Sequence, residues 1–465
     1  MAESIKGKIL DNGIFIYPRD EKMTISELLR FIGKNKELSK GYQHNLEMYE
    51  GNHDVLHQPN RTFGPDNRLV ANLPHYIVDT YNGFFTGIPP KITLEDKATN
   101  TMLQLWNDEN SFQDKLSEIS KQADIYGRSL AFVYQNEDSE TKIAYAAPTS
   151  AFMVYDDTVA RRPLAFVRYW KDDHDQQVGM AYYADEFQPF VNSQFTEATP
   201  NPYQMVPAVE FYGNEERQGV FDNVKTLIDE LDRVLSQKAN QVEYFDNAYL
   251  KILGVDLDHD GDGKPDADLI GNQLIYSPDA DAANADIDFI SKPDGDNMQE
   301  HIIDRLISMI YQISMVANLN DEAFAGNSSG VALQYKLLPM RNMAANKERK
   351  FTQALRRMYQ IIFSVGRVLP ESKKEVWRDL EFTFKRNLPE DLSNDASIAQ
   401  SLQGLVSQET LLKILPFVDD PKEEMKRLKQ EKIDNMQTAI QYGPSALDQD
   451  KPGDDDDEEE QKTDK

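Results

Sequence analysis

Residues 221–253 read FDNVKTLIDELDRVLSQKANQVEYFDNAYLKIL. Val224, Leu227, Leu231 and Val234, then Val242, Phe245, Tyr249 and Ile252, recur at three- and four-residue spacing, and Lys238 interrupts the stripe. That is the period of an α-helix with one apolar face. At roughly 1.5 Å per residue such a helix would run about 50 Å, more than an ordinary globular helix needs. A turn-rich acidic insertion follows, with strand-like LIYS and IDFIS inside it. Asp296 with Gln299 then gives a capping-box-like start to a second long helix, whose stripe is wide: Ile302, Ile303, Leu306, Met309, Ile310, Ile313 and Val316. One copy would struggle to bury both stripes and a protruding hairpin. The economical reading is a stalk of two antiparallel helices with a small domain at its tip, buried by neighbouring copies in a ring.

Directly after the second helix comes DEAFAGNSSGVALQYKL, residues 321–337, a knot of small residues before a third helical stretch, 331–368. Gly and Ser also build phosphate-cradling loops, but that pattern needs Lys and then Ser or Thr after its second Gly, and Gly330 is followed by Val331. Upstream, 24–50 is expected to be helical with a cap at Thr24. Residues 99–126 return to helical spacing and stop at Gly127. SLAFVYQ, TKIAYAA, AFMVYDD, LAFVRYW and GMAYYAD predict an antiparallel region between 129 and 212. VWRDLEFTFKRNLP predicts a short strand pair, and 391–442 predicts helix.

Composition narrows the function classes. The 465 residues carry 79 acidic and 50 basic side chains, a net charge of −29. Ten acidic residues against three lysines fall in the last 21 residues, so the body is itself strongly acidic. Non-specific DNA binding through many phosphate contacts is not expected of such a surface. With no cysteine, disulfides, thiolate metal sites and a cysteine nucleophile are excluded. No secretory signal or membrane-length apolar run is read, so a soluble protein, cytoplasmic at synthesis, is expected. The pattern is α+β with a folded, aromatic-rich core.

Four clusters invite chemistry. His53-Asp-Val-Leu-His57 echoes a zinc signature, but Gly51-Asn52 and Pro59 crowd it and it is read as a loop. Asp258, Asp260, Asp262 and Asp266 resemble the first half of a calcium loop; Leu269 stands where the bidentate acid belongs, so a solvated acidic turn is the default and calcium the alternative. Arg341, Lys347, Arg349, Lys350, Arg356 and Arg357 make a basic run, either an intersubunit or solvated face or a phosphate contact. The DDDDEEE run is read as a disordered solvating tail or a docking element. No Gly-x-Gly-x-x-Gly is present, and no enzyme is expected.

Several texts, in order, resemble the portal proteins of siphophages that infect Gram-positive bacteria. They are NRLVANLPHYIVDTYNGFFTGIPP, DIYGRSLAFVY, MVPAVEFYGNEERQGVFDNVKTLIDELDRVLS, the stretch of Phe324, Gly326, Ser329-Gly330 and Ala332-Leu333 before Tyr335-Lys336-Leu337, and FKRNLP with SQETLLKILPFVDDPKEEMKRL. The resemblance implies a mostly helical α+β subunit with a wing (1–220, joined by 376–388), stem helices (221–254 and 296–318), a clip (255–295), a tunnel loop (319–330), a long helix with returning strands (331–388), a crown (389–444) and an acidic tail (445–465). It implies a ring, usually of twelve copies, at one capsid vertex of the virion, assembled in the host cytoplasm. Its partners would be the terminase large subunit, major capsid and scaffolding proteins, a head-completion adaptor and passing duplex DNA, with no membrane and no required cofactor. Gly326, Asn327, Ser328, Ser329 and Gly330 would then line the DNA channel, where small uncharged residues let duplex slide. The rivals are a calcium-responsive cytoplasmic interaction protein, its Asp-rich tip recruiting partners, and an enzyme with an unfamiliar site.

Overall fold

Thr24 is extended and its side chain accepts from the Glu27 amide at 3.3 Å, so helix α1 starts where expected and runs Ile25–Glu50. Gly51 closes it at φ 84°, a left-handed position that favours glycine. The computed structural model describes residues 6–62, 64–246, 249–253, 274–277, 286–290, 296–320, 330–387, 392–415, 418 and 421–442. It is α+β, in two units, Met1–Asn387 and Leu388–Lys465.

In the first unit, α2 (Leu73–Thr86) starts on an Asn72 cap. The expected helical run 99–126 is two helices, α3 (Lys97–Glu109) and α4 (Phe112–Tyr126). Asn110 turns its amide back onto the Trp106 carbonyl at 2.9 Å and Ser111 takes φ 48°, which breaks the run. At Gly127, φ 81°, a Cβ would lie 1.9 Å from the Arg217 carbonyl oxygen, so the stop needs glycine.

The expected antiparallel region is two sheets. One joins β1 (Lys8–Ile9), β2 (Phe15–Tyr17), β6 (Ala151–Asp156), β7 (Pro163–Lys171), β8 (Gln177–Tyr183), β9 (Glu186–Val191) and β10 (Gln194–Phe195), with β11 (Thr199–Pro200) on β9. The other orders β12 (Ala208–Phe211), β4 (Ser129–Gln135) and β5 (Thr141–Ala146). One pairing is parallel: β2 lies on β6 with Phe15 opposite Val154. Side chains on β7 alternate between two cores. Ala165, Val167 and Tyr169 pack with Leu28 and Phe31 of α1, while Phe166 packs with Leu130 and Phe132 of the second sheet.

The helix expected over 221–253 is shorter. After a 3-10 turn at Asp222–Val224, α5 runs Lys225–Asp246, and Tyr249–Leu253 is strand β13. It pairs in parallel with β14 (Leu274–Ser277) and antiparallel with β15 (Asp286–Ile290). Apolar residues at 249, 250, 252 and 253 fit a helical and an extended period alike, and the two partner strands decide. Helix α6 spans Asp296–Ser314 and packs with α5, and Met315 leaves it at φ 60°. Helix α7, Gly330–Ser364, carries Pro339 inside it. The expected strand pair at 376–388 is one strand, β16 (Glu381–Thr383), whose partner is the distant β3 (Lys91–Thr93), Phe382 opposite Ile92.

The second unit holds helices at Leu392–Ser401, Gln408–Ile414 and Pro421–Tyr442, the middle one capped by Ser407. No helix among the described residues is long and apolar enough to cross a membrane. Gly326, Asn327, Ser328 and Ser329, the quartet Asp258, Asp260, Asp262 and Asp266, and the tail 445–465 lie outside the described residues; Gly330 begins α7.

Candidate functional site: the helix pair and its anchors

What the structure describes of the small-residue segment is its approach. The ring of Tyr76, on α2, meets Tyr311 near the end of α6 edge-on at 5.8 Å between centroids, and its hydroxyl accepts from the Leu319 amide at 3.0 Å. One side chain thereby fixes both the helix end and the chain entering the segment. Val316 between them is buried.

Helix α5 is moored along its length by a polar ladder. The Asn67 amide donates to Asn240 Oδ1 at 2.6 Å, the Leu69 amide to Ser236 Oγ at 2.9 Å, and the Ala71 amide to Asp232 Oδ1 at 2.7 Å. The receptors are four residues apart on a helix, about 6 Å of rise. The donors are two apart on extended chain, about 6.6 Å. The repeats match, so three rungs form without distorting either partner. All three receptors are buried, where an unmatched polar group would be costly.

The lowest rung is also charged. Asp232 Oδ2 stands 2.5 Å from His53 Nδ1, and His53 Nε2 is 2.8 Å from the Met48 carbonyl, both side chains being buried. Both ring nitrogens face oxygen atoms, an arrangement that suits a doubly protonated imidazole ring. Burial alone would lower the His53 pKa, but the Asp232 hydrogen bond and charge lift it above its ordinary value. His57 turns away to Asn52 Oδ1 at 2.7 Å, so the two histidines do not converge. Among the described residues no group of three or more His, Asp or Glu stands together as a metal cradle.

The basic run at 341–357 does not form one face. Lys347 points inward, its ammonium 2.7 Å from both Asp124 oxygens and 2.8 Å from Ser120 Oγ, against the rings of Tyr81, Phe85 and Phe351. Arg356 donates to the Leu380 carbonyl at 3.2 Å and covers Phe382. Desolvation pushes the Asp124 carboxyl up to about 6 and the Lys347 ammonium down, so burial opposes both charges and each is held by the other. A second buried centre ties β12 to β6 and to the residue just before β4: Glu210 meets Arg128 at 3.2 Å and Arg217 at 3.3 Å, and accepts from the Tyr155 hydroxyl at 2.6 Å. Burial would raise the Glu210 pKa, but the two guanidiniums hold it below its ordinary value.

Sequence reasoning missed Tyr76, His53, Asp232 and Lys347 as anchors. Asn67, Leu69, Ala71 and Tyr76 do lie in the quoted NRLVANLPHYIVDTYNGFFTGIPP text, so that segment marked the mooring without revealing its partner. Among the described residues the arrangement ties α5 and the end of α6 to the rest of the first unit.

Comparison with known proteins agrees with the resemblance. Residues 29–438 match the family model described as phage portal protein, SPP1 Gp6-like. The portal protein of Bacillus phage SPP1 is 25% identical over 423 residues, covering 84% of this chain and 80% of that protein. The portal protein of Clostridium phage phiCD119 is 22% identical over 389 residues, covering 80% and 79%. The match runs from α1 through the moored helix pair to the last helix of the second unit, and the chain belongs to the SPP1 Gp6-like family of phage portal proteins.

Proposed function

We propose that copies of this chain close into a ring, of twelve in the assembled particle, at one vertex of a phage capsid, and that duplex DNA enters and leaves through its axis. The observation that carries this reading is the outer face of α6. Met298, Ile302 and Ile313 are 66%, 41% and 42% exposed. At about 100° per residue they fall within about 60° of arc. Ile303, Leu306 and Ile310, on the adjoining arc, are buried. The apolar stripe is thus wider than its own chain covers, and a neighbouring copy supplies the rest.

In this reading 221–254 and 296–318 are the stem, 255–295 the clip, 389–444 the crown, and 319–330 the tunnel loop, with Asn327, Ser328 and Ser329 toward DNA. The terminase large subunit, the major capsid and scaffolding proteins and a head-completion adaptor are its partners. The acidic composition supports passage without grip, because counterion-release affinity needs many basic contacts. No cofactor is required. A calcium ion at Asp258, Asp260, Asp262 and Asp266 is a separate proposal, which calorimetry showing no heat at millimolar calcium would remove.

Light scattering of the purified 53.2 kDa chain, with single-particle images of the same peak, tests the ring. A closed ring with an axial hole is expected; a stable monomer at all concentrations would overturn the reading. Gly326→Pro is expected to leave rings intact and impair DNA filling, and normal filling would refute the loop's role.

A further inference from the structure

A cleft of about 560 Å³ opens between the β6–β7 turn, β12 and α7. Five cations line it, Arg161, Arg162, Arg217, Lys350 and Arg357, against two carboxylates, Glu210 and Glu215. Both carboxylates are engaged: Glu210 with Arg128, Arg217 and Tyr155, Glu215 with Lys350 and Arg217. Arg161, Arg162 and Arg357 make no ion pair among the described residues. Arg357 donates from Nη1 to Gln360 Oε1 at 2.7 Å, but its Nε is buried without a partner, as is the Nε of Arg217. Desolvation also lowers the Arg357 pKa, the mark of a cation lacking a counter-charge.

The mouth of the cleft is built. The Asp156 carboxylate accepts from the Thr158 amide at 3.2 Å, the Thr158 hydroxyl at 2.6 Å and the Arg162 amide at 2.9 Å. The Arg161 amide donates to the Thr158 carbonyl at 3.1 Å. This turn presents two guanidiniums at the rim, with Val159 fully exposed at its tip.

We infer that this cleft receives carboxylates from a neighbouring copy of the chain, so that the site is completed only in the assembly. A chain of net charge −29 offers acidic side chains on nearly any face it presents, and three unpaired guanidiniums in a concavity are their complement. A phosphate backbone is the poorer occupant: gripping it needs a track of cations along an open surface, and the cleft holds only a few side chains. The inference rests on the ring reading above.

The chain has no cysteine, so Arg162→Cys gives a single thiol at the rim. Rings are assembled from equal amounts of light- and heavy-isotope copies, and a maleimide–hydrazide linker is coupled to nearby carboxylates with carbodiimide. Expected are links from position 162 to Asp or Glu peptides of mixed isotope origin. Rings that give only same-copy links overturn the site while leaving the ring reading intact; a preparation that never forms rings overturns both. In parallel, Arg161→Gln with Arg162→Gln, at two exposed positions, should raise the concentration needed for ring formation about tenfold at low salt and less at high salt. An unchanged concentration at low salt also overturns the inference.

Discussion

Lys347 lies among Tyr81, Phe85 and Phe351 with both oxygens of Asp124 at 2.7 Å, whereas Ile302 and Ile313, on another helix of the same unit, face outward. The body thus buries charge and matches it internally; the helix pair exposes apolar surface and leaves it unmatched. The first costs desolvation and yields a fixed geometry, since a buried pair tolerates few arrangements. The second carries little cost while copies are dilute and becomes favourable when they meet. In the ring reading, a subunit made this way is completed by assembly.

The largest expected effect falls on the body. Lys347→Ala strands Asp124 in an apolar surround and should cost about 3–5 kcal/mol. Lys347→Met with Asp124→Leu removes both charges and should recover most of that loss. Denaturant unfolding of the isolated chain reads both; a single variant within 1 kcal/mol of wild type, on the order of an exposed pair, would erase the contrast between the two regions.

Where body and helix pair meet, pH sharpens the comparison. His53 has a folded pKa above its unfolded value of about 6.5, so the stability it contributes is full below that pH and is lost as pH rises through the folded value. Asp232→Asn keeps the shape, removes the charge and should cost about 1–3 kcal/mol. Its stability should change less than that of wild type as the pH is raised above about 6.5. Thermal unfolding at a series of pH values decides, and parallel curves would deny the ion pair its role. One rung higher, Ser236→Ala removes the acceptor of the Leu69 amide and should cost about 1 kcal/mol.

How much was legible follows the same division. Thr24 and Gly51 bound α1 by local rules, and those bounds were read correctly. Tyr249–Leu253 was misread as helix because its short apolar run satisfies two periods, and only β14 and β15, distant in sequence, select the strand. Lys347 looked like one cation of a basic run; its inward turn depends on Asp124, more than two hundred residues upstream, which no local pattern announces. The ladder on α5 was invisible for a related reason: its donors are backbone amides, which leave no mark on the side-chain text. The family text was legible through order alone, five weak segments in sequence.

The smallest effect on the isolated chain should accompany the largest on assembly. Ile302→Ser with Ile313→Ser alters two exposed positions, so unfolding of the monomer should shift by no more than about 0.5 kcal/mol. In a ring each replaced side chain forfeits burial of the 41–42% of its surface that the single chain leaves exposed, about 0.6–1.2 kcal/mol, and every subunit contact repeats the loss. Light scattering should find the variant monomeric at concentrations where wild type is closed. If the variant assembles normally, the exposed arc of α6 is solvent surface in the assembly as well, and the division between a self-sufficient body and an incomplete helix pair fails. If it unfolds instead, that arc is covered within a single chain, and the incompleteness belongs to neither region.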